Sequence, residues 1–214
     1  HCQGGYQHDL REEIGRGAIP SELRPVLAAS LLECAEGLES SGDGNNAAAI
    51  YRSLYDPSLP AVIRSAACLG EMRSLKDRAT PLLLDALASS DEARQMAAIR
   101  FLAMPQGKGS ARAAASRLSS LPEHLQSQLI DALAAAGDRS VLPEIHRALE
   151  SSSRATRLAA VEALTQLGNA SSAQRLLDLA GSAQGGELAA IRKSLARMPG
   201  ADVDQALTAA VTPS

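Results

Sequence analysis

The chain has 214 residues, with 21 Lys and Arg against 24 Asp and Glu for a formal net charge of −3, and only one Phe, three Tyr and no Trp. That balance is no electrostatic footprint for nucleic acid, and four aromatic rings leave little on which bases could stack. No apolar run approaches the roughly 18 residues of a membrane-spanning helix, Val26 to Leu32 being among the longest, so no membrane span is expected.

Alanine occurs 41 times and leucine 31 times, so a third of the chain is two strong helix formers with little β-branching. The predicted elements are therefore helices. Residues 1–20, with Gly4-Gly5, Gly15 and Gly17 and little apolar periodicity, read as a linker or the tail of an upstream domain. Helices follow near 21–39, 45–55, 59–72, 79–89, 91–104, 109–119, 122–136, 140–150, 154–167, 170–180, 186–198 and 201–212. Between them lie stops and starts: Gly42-Asp43-Gly44, Pro105, Pro122, Gly137-Asp138, Ser151-Ser152-Ser153, Gly168-Asn169, Gly185-Gly186 and Pro199-Gly200. Asn169 also opens an Asn-Ala-Ser glycosylation triplet, but its place at a helix start favours a cap.

The chain repeats. Cys68, Ile99, Ile130, Val161 and Ile191 each follow a small or apolar pair, at steps of 31, 31, 31 and 30 residues. A second apolar column, with Leu84 and Leu87, Ala115 and Leu118, Leu149, Leu177 and Leu207, lies sixteen to nineteen positions later. Each unit thus holds two helices that cannot cover their apolar faces alone, and the Ala-Ala pairs let neighbouring backbones approach closely.

The stretch Arg154 to Asn169, with Arg157, Ala159-Ala160, Val161, Leu164 and Leu167-Gly168, resembles the second helix and turn of a HEAT repeat, and Asp91 to Ile99 is similar. The resemblance covers about residues 45–212 and is closest to the short HEAT-like repeats of bacterial proteins and phycobilin lyases. It implies an all-α fold, a right-handed α-α superhelical solenoid of helical hairpins with a period of about 31 over residues 21–214. It also implies an Asp/Arg ladder between repeats. Asp91, Arg94, Arg64 and Arg157 would contribute, with breaks at Gln126-Ser127 and at Glu187. The ankyrin-like Thr80-Pro81 occurs in one unit only, and the large residues of tetratricopeptide repeats are missing.

Chemistry-bearing motifs are sparse. His1, His8, His124 and His146 have no metal-ligand spacing, although His1, Cys2 and His8 lie close in sequence. No serine or cysteine sits in a nucleophile elbow, and Gly107-Lys108 lacks the rest of a phosphate-binding loop. Cys34 and Cys68 read as small buried apolar residues. No enzyme activity and no cofactor are expected.

Surface remains. With each key apolar residue at 0° and 100° per residue, offsets +1, +2 and +5 face away from the core. On that face Leu69, Arg73, Arg100, Phe101 and Met104 are the candidate partner-binding residues. The resemblance implies a scaffold that binds a protein partner or a neighbouring domain of the same longer chain, as similar arrays do in multidomain bacterial proteins. Two alternatives are a phycobilin-lyase-like or chaperone role with a tetrapyrrole in the groove, and a HEAT-like DNA glycosylase. Asp131 and Glu162 among Arg100 and Arg192 disfavour the latter.

Overall fold

The computed structural model describes residue 20 and residues 22–211. Apart from Pro20, the expected linker and the His1, Cys2, His8 group lie outside the described residues. The described chain is helical, with no strand, and forms two compact units that divide after Phe101.

In the first unit α1 (Arg24–Ser40), α2 (Gly44–Ser53), α3 (Ala61–Leu75), α4 (Thr80–Ala88) and α5 (Glu92–Leu102) follow one another, α5 ending at the unit boundary. Proline sets several starts, where its missing N–H costs nothing: Pro25 and Pro81 sit in first turns and Pro60 caps α3. The Asp43 carboxylate caps α2 by accepting from the Asn46 amide at 3.3 Å. Helices α1, α2 and α3 pack on one another around Ala28, Leu31, Ala35, Ala47, Ile50, Tyr51, Leu54, Ile63 and Ala67. Alanine at so many inward positions brings the axes close, as the repeat pattern requires.

Two Tyr–Glu–Arg clusters clamp these three helices. Arg73 on α3 holds both Glu39 oxygens of α1, at 3.0 and 2.8 Å, and the Tyr51 hydroxyl of α2 donates to Glu39 at 3.1 Å. In the second cluster Arg52 on α2 donates to Glu71 Oε1 and Tyr55 donates to Glu71 Oε2. Both are built from rings that only this unit has among the described residues.

The second unit holds α6 (Ala111–Ala115), α7 (Glu123–Ala136), α8 (Leu142–Ala148), α9 (Arg154–Leu167), α10 (Ala170–Ala180), α11 (Gly185–Arg197) and α12 (Ala201–Val211). The long helices pack in series, α7 on α9 and α9 on α11, while α10 packs on α12. Capping follows the sequence signals. Gly137 ends α7 in the left-handed region at φ 76°, Ser153 caps α9, and Asn169 caps α10 by accepting from the Ser172 amide at 3.0 Å. The helix expected over 109–119 is instead one short α-helical turn between 3-10 turns at Pro105–Ser110 and Leu118–Ser120. Gly107 and Gly109 weaken helix propagation there, and the Ala-Arg-Ala-Ala-Ala stretch brings no large side chain to hold a longer helix.

The key columns are core: Cys68, Ile99, Ile130, Val161 and Ile191 are all buried. The ladder differs in detail from the expected one. Arg64 bonds Asp91 with Nε at 2.7 Å and Nη2 at 3.1 Å, but Arg94 turns to Asp85 at 2.6 Å and lies 5.0 Å from the Tyr55 ring centroid. The break expected at Glu187 is closed, because Arg157 bonds both its oxygens, at 2.8 and 3.2 Å. Glutamate reaches from inside the next helix to where an aspartate would stand in the loop. Gln126 forms no such ion pair; its amide nitrogen donates to the Leu121 carbonyl at 2.9 Å.

Candidate interaction site

Within the first unit a cleft of about 940 Å³ runs between α3 and α5. Val62, Ala66 and Leu69 recur along α3 at helical spacing, and Ala93, Met96 and Arg100 do the same along α5, so each helix presents one line of side chains to the cleft. Val62 is 74% exposed, the most exposed large apolar side chain described. The Arg64–Asp91 pair forms a polar rung against this apolar floor, and the Arg64 guanidinium holds the Asp91 carboxyl below the usual carboxylate range. Arg64 also donates to the Leu59 carbonyl, which fixes the guanidinium on both sides. Arg100 is exposed and forms no ion pair among the described residues. The cleft is thus apolar along its length, acidic at the α5 start with Asp91 and Glu92, and basic at Arg100.

Two of the sequence-derived candidates, Leu69 and Arg100, line this cleft. Arg73 is half-buried in its fork with Glu39 and holds α1 to α3. Met104, half-buried, precedes the 3-10 turn of the second unit and is not among the cleft's lining. Phe101 requires a correction, because its exposure is 0%. The helical-wheel argument places offset +2 on the free face, but in four of the five units the residue there, Gly70, Phe101, Ala132 or Ala163, is buried, while Lys193 in the fifth is exposed. In those four units the position packs inward and is filled by small residues except at Phe101. Val62 and Met96 were not singled out from the sequence, since single apolar residues beside a repeat's core column carry no mark of exposure.

In the second unit the +1 column places Asp131, Glu162 and Arg192 on the exposed face of α7, α9 and α11, with Lys193 exposed beside Arg192. Lys193 Nζ lies 3.9 Å from Glu162, and burial together with the Glu162 charge raises the Asp131 carboxyl above its usual range. His146 Nε2 lies 2.8 Å from Ser172 Oγ, a distance that suits a base and a nucleophile. Ser172 is fully buried, however, and its hydroxyl donates to Asn169 Oδ1 at 3.1 Å. Its single proton is spent there, so His146 carries its proton on Nε2 and donates. Burial, then the Arg175 charge, lowers the imidazole pKa and keeps it neutral. This is a cap network, not a dyad. Among the described residues no group of three or more His, Cys, Asp or Glu is placed to hold a metal ion, and no helix is long and apolar enough to cross a membrane.

Stacked two-helix units with buried columns at a period of 31 define an all-α repeat protein. Residues 111–196 match the family model for HEAT repeats. That stretch is built of HEAT-like repeats, and repeats of this family generally mediate protein–protein interaction. No curated protein matches the chain.

Proposed function

We propose that the chain is a non-catalytic scaffold whose α3–α5 cleft docks a protein partner or a neighbouring domain of a longer chain. The observation that carries this reading is the cleft itself: apolar along its floor, with Val62 turned to solvent and a cationic end at Arg100. Such a surface suits an amphipathic helix that seats apolar side chains between Val62, Leu69 and Met96 and brings a carboxylate to Arg100. The reading needs neither cofactor nor nucleic acid.

The test is affinity capture with the 214-residue chain, set beside a Val62→Glu/Arg100→Glu variant. Both substituted positions are exposed, so circular dichroism should show unchanged helicity. A partner that the parent retains and the variant loses supports the reading. Equal capture by parent and variant assigns the interaction to another face.

A further inference from the structure

The rung positions of the ladder form a column, Arg64, Gln95, Gln126 and Arg157, at successive steps of 31 residues. Each arginine sits in a receptor made of loop carbonyls on one side and a carboxylate on the other. Arg157 donates to the Ser151 and Ser152 carbonyls at 2.8 and 3.1 Å and to both oxygens of Glu187. Arg64 donates to Leu59 and Pro57 carbonyls and to both oxygens of Asp91. The glutamines are shorter. Gln95 is buried, and its amide takes the Leu87 and Ser89 carbonyls at 3.4 and 2.9 Å, which closes its rung locally.

Gln126 is different. Its nitrogen reaches Leu121, its oxygen accepts from the Thr156 hydroxyl at 3.4 Å, and beside it opens a cavity of about 370 Å³ within the second unit. The cavity lies between the chain before α7, at Leu118 and Ser119, and the chain before α9, at Ser151 and Ser152. Those are the two segments that a rung at this position would join. Its lining adds Glu144 and Glu150 against Arg147, a formal charge of about −1.

The geometry points to this cavity as a binding site for an alkylguanidinium group, which would supply from outside the cation that the ladder lacks at Gln126. A planar guanidinium with five donors matches an acceptor-rich site of carboxylates, serine hydroxyls and the Gln126 amide oxygen better than a compact ammonium does. The volume, at the lower end of the roughly 300–1,000 Å³ usual for small-ligand pockets, suits one such group with its stem. This site is separate from the α3–α5 cleft, and either can fail without the other.

Calorimetric titration of the whole chain at low ionic strength with N-acetyl-arginine methylamide, free arginine and N-acetyl-lysine methylamide tests it. Saturable binding of either arginine compound, weaker for the lysine analogue, is expected. Binding of the capped compound alone assigns the group to a partner's side chain, and binding of free arginine alone assigns it to a small molecule. Gln126→Arg, which supplies the rung from within, should weaken binding by about tenfold or more with helicity retained. Glu144→Gln/Glu150→Gln, altering only the lip, should weaken it comparably and stands in if Gln126→Arg does not fold. Absence of saturable binding by the parent overturns the assignment, and so does binding indifferent to folded forms of these variants.

Discussion

The ring of Tyr51 fills the space that a side chain at Gly70 would need: a Cβ built on Gly70 would stand 2.4 Å from Tyr51 Cζ and under 3 Å from two further ring atoms. The ring cannot swing away freely, since its hydroxyl is held by Glu39 and the rest is buried. Burial and the neighbouring Glu39 charge push that hydroxyl up to about 12, so it stays a donor throughout the neutral range. Gly70 is thus a helix-interior glycine retained for packing.

Gly70→Ala should therefore destabilise the first unit by about 2 kcal/mol, the overpacking cost exceeding the ~1 kcal/mol that alanine gains in helix propensity. In a Tyr51→Leu background the same substitution should be neutral or stabilising, because the obstructing ring is gone. Urea denaturation of the four proteins in the cycle gives both numbers. Gly70→Ala as stable as the parent would sink the argument.

At the other end of the chain, Arg157 holds the Glu187 carboxyl below its usual value of 4.5, chiefly through their hydrogen bonds. The folded pKa lies below the unfolded one, so the stability it brings is complete above about pH 4.5 and is lost as pH falls through the folded value. Glu187→Gln should lower Tm at pH 7, and the gap to the parent should close on acidification. A gap that stays constant from pH 7 to pH 3 would mean that the pair does not couple to folding.

Glu187 also marks where the sequence is legible and where it is not. The core columns could be read because period and burial share one cause: a residue recurring at the same phase of every hairpin meets the same neighbours. Cys68, Ile99, Ile130, Val161 and Ile191 are buried for that reason. Ion pairs tolerate shifts in phase. Glu187 within α11 reaches Arg157 as Asp91 before α5 reaches the equivalent Arg64, so a strict motif finds a break where the structure has a bond. Phe101 fails differently. The wheel assigns one buried face to a helix, whereas α5 buries Ile99, Phe101 and Leu102 together in its last turn. Of the cleft, Leu69 and Arg100 were visible in advance, but the exposure of Val62 depends on which loops stop short of it, and no periodicity encodes that.

His146 gives a second pH signature. Burial, with Arg175 nearby, holds its folded pKa below the ordinary 6.5, so the unfolded chain binds the proton more readily. Its contribution to stability is complete above about pH 6.5 and declines as pH falls from there toward the folded pKa. NMR titration should find His146 below 6.5 and on the Nε2–H tautomer, and Arg175→Gln should raise its pKa. A neutral ring protonated on Nδ1 would contradict the hydrogen bond to Ser172.

The carboxylate of Glu71 is only 1% exposed and depends on two partners, whereas Arg52 is 66% exposed. Arg52 can return to water if the pair is broken; Glu71 cannot. The cost of disturbing this cluster should accordingly lie in an orphaned carboxylate, not in the loss of an ion pair. Tyr55→Phe removes the 2.5 Å bond to Oε2 while leaving the ring beneath Arg94, and should destabilise by about 1–3 kcal/mol. Tyr55→Phe/Glu71→Leu removes donor and acceptor together and should recover part of that loss, although it deletes the Arg52 pair as well. Thermal or urea unfolding decides the order. If the double variant is the less stable of the two, the ion pair itself holds α2 to α3 and the desolvation argument is wrong.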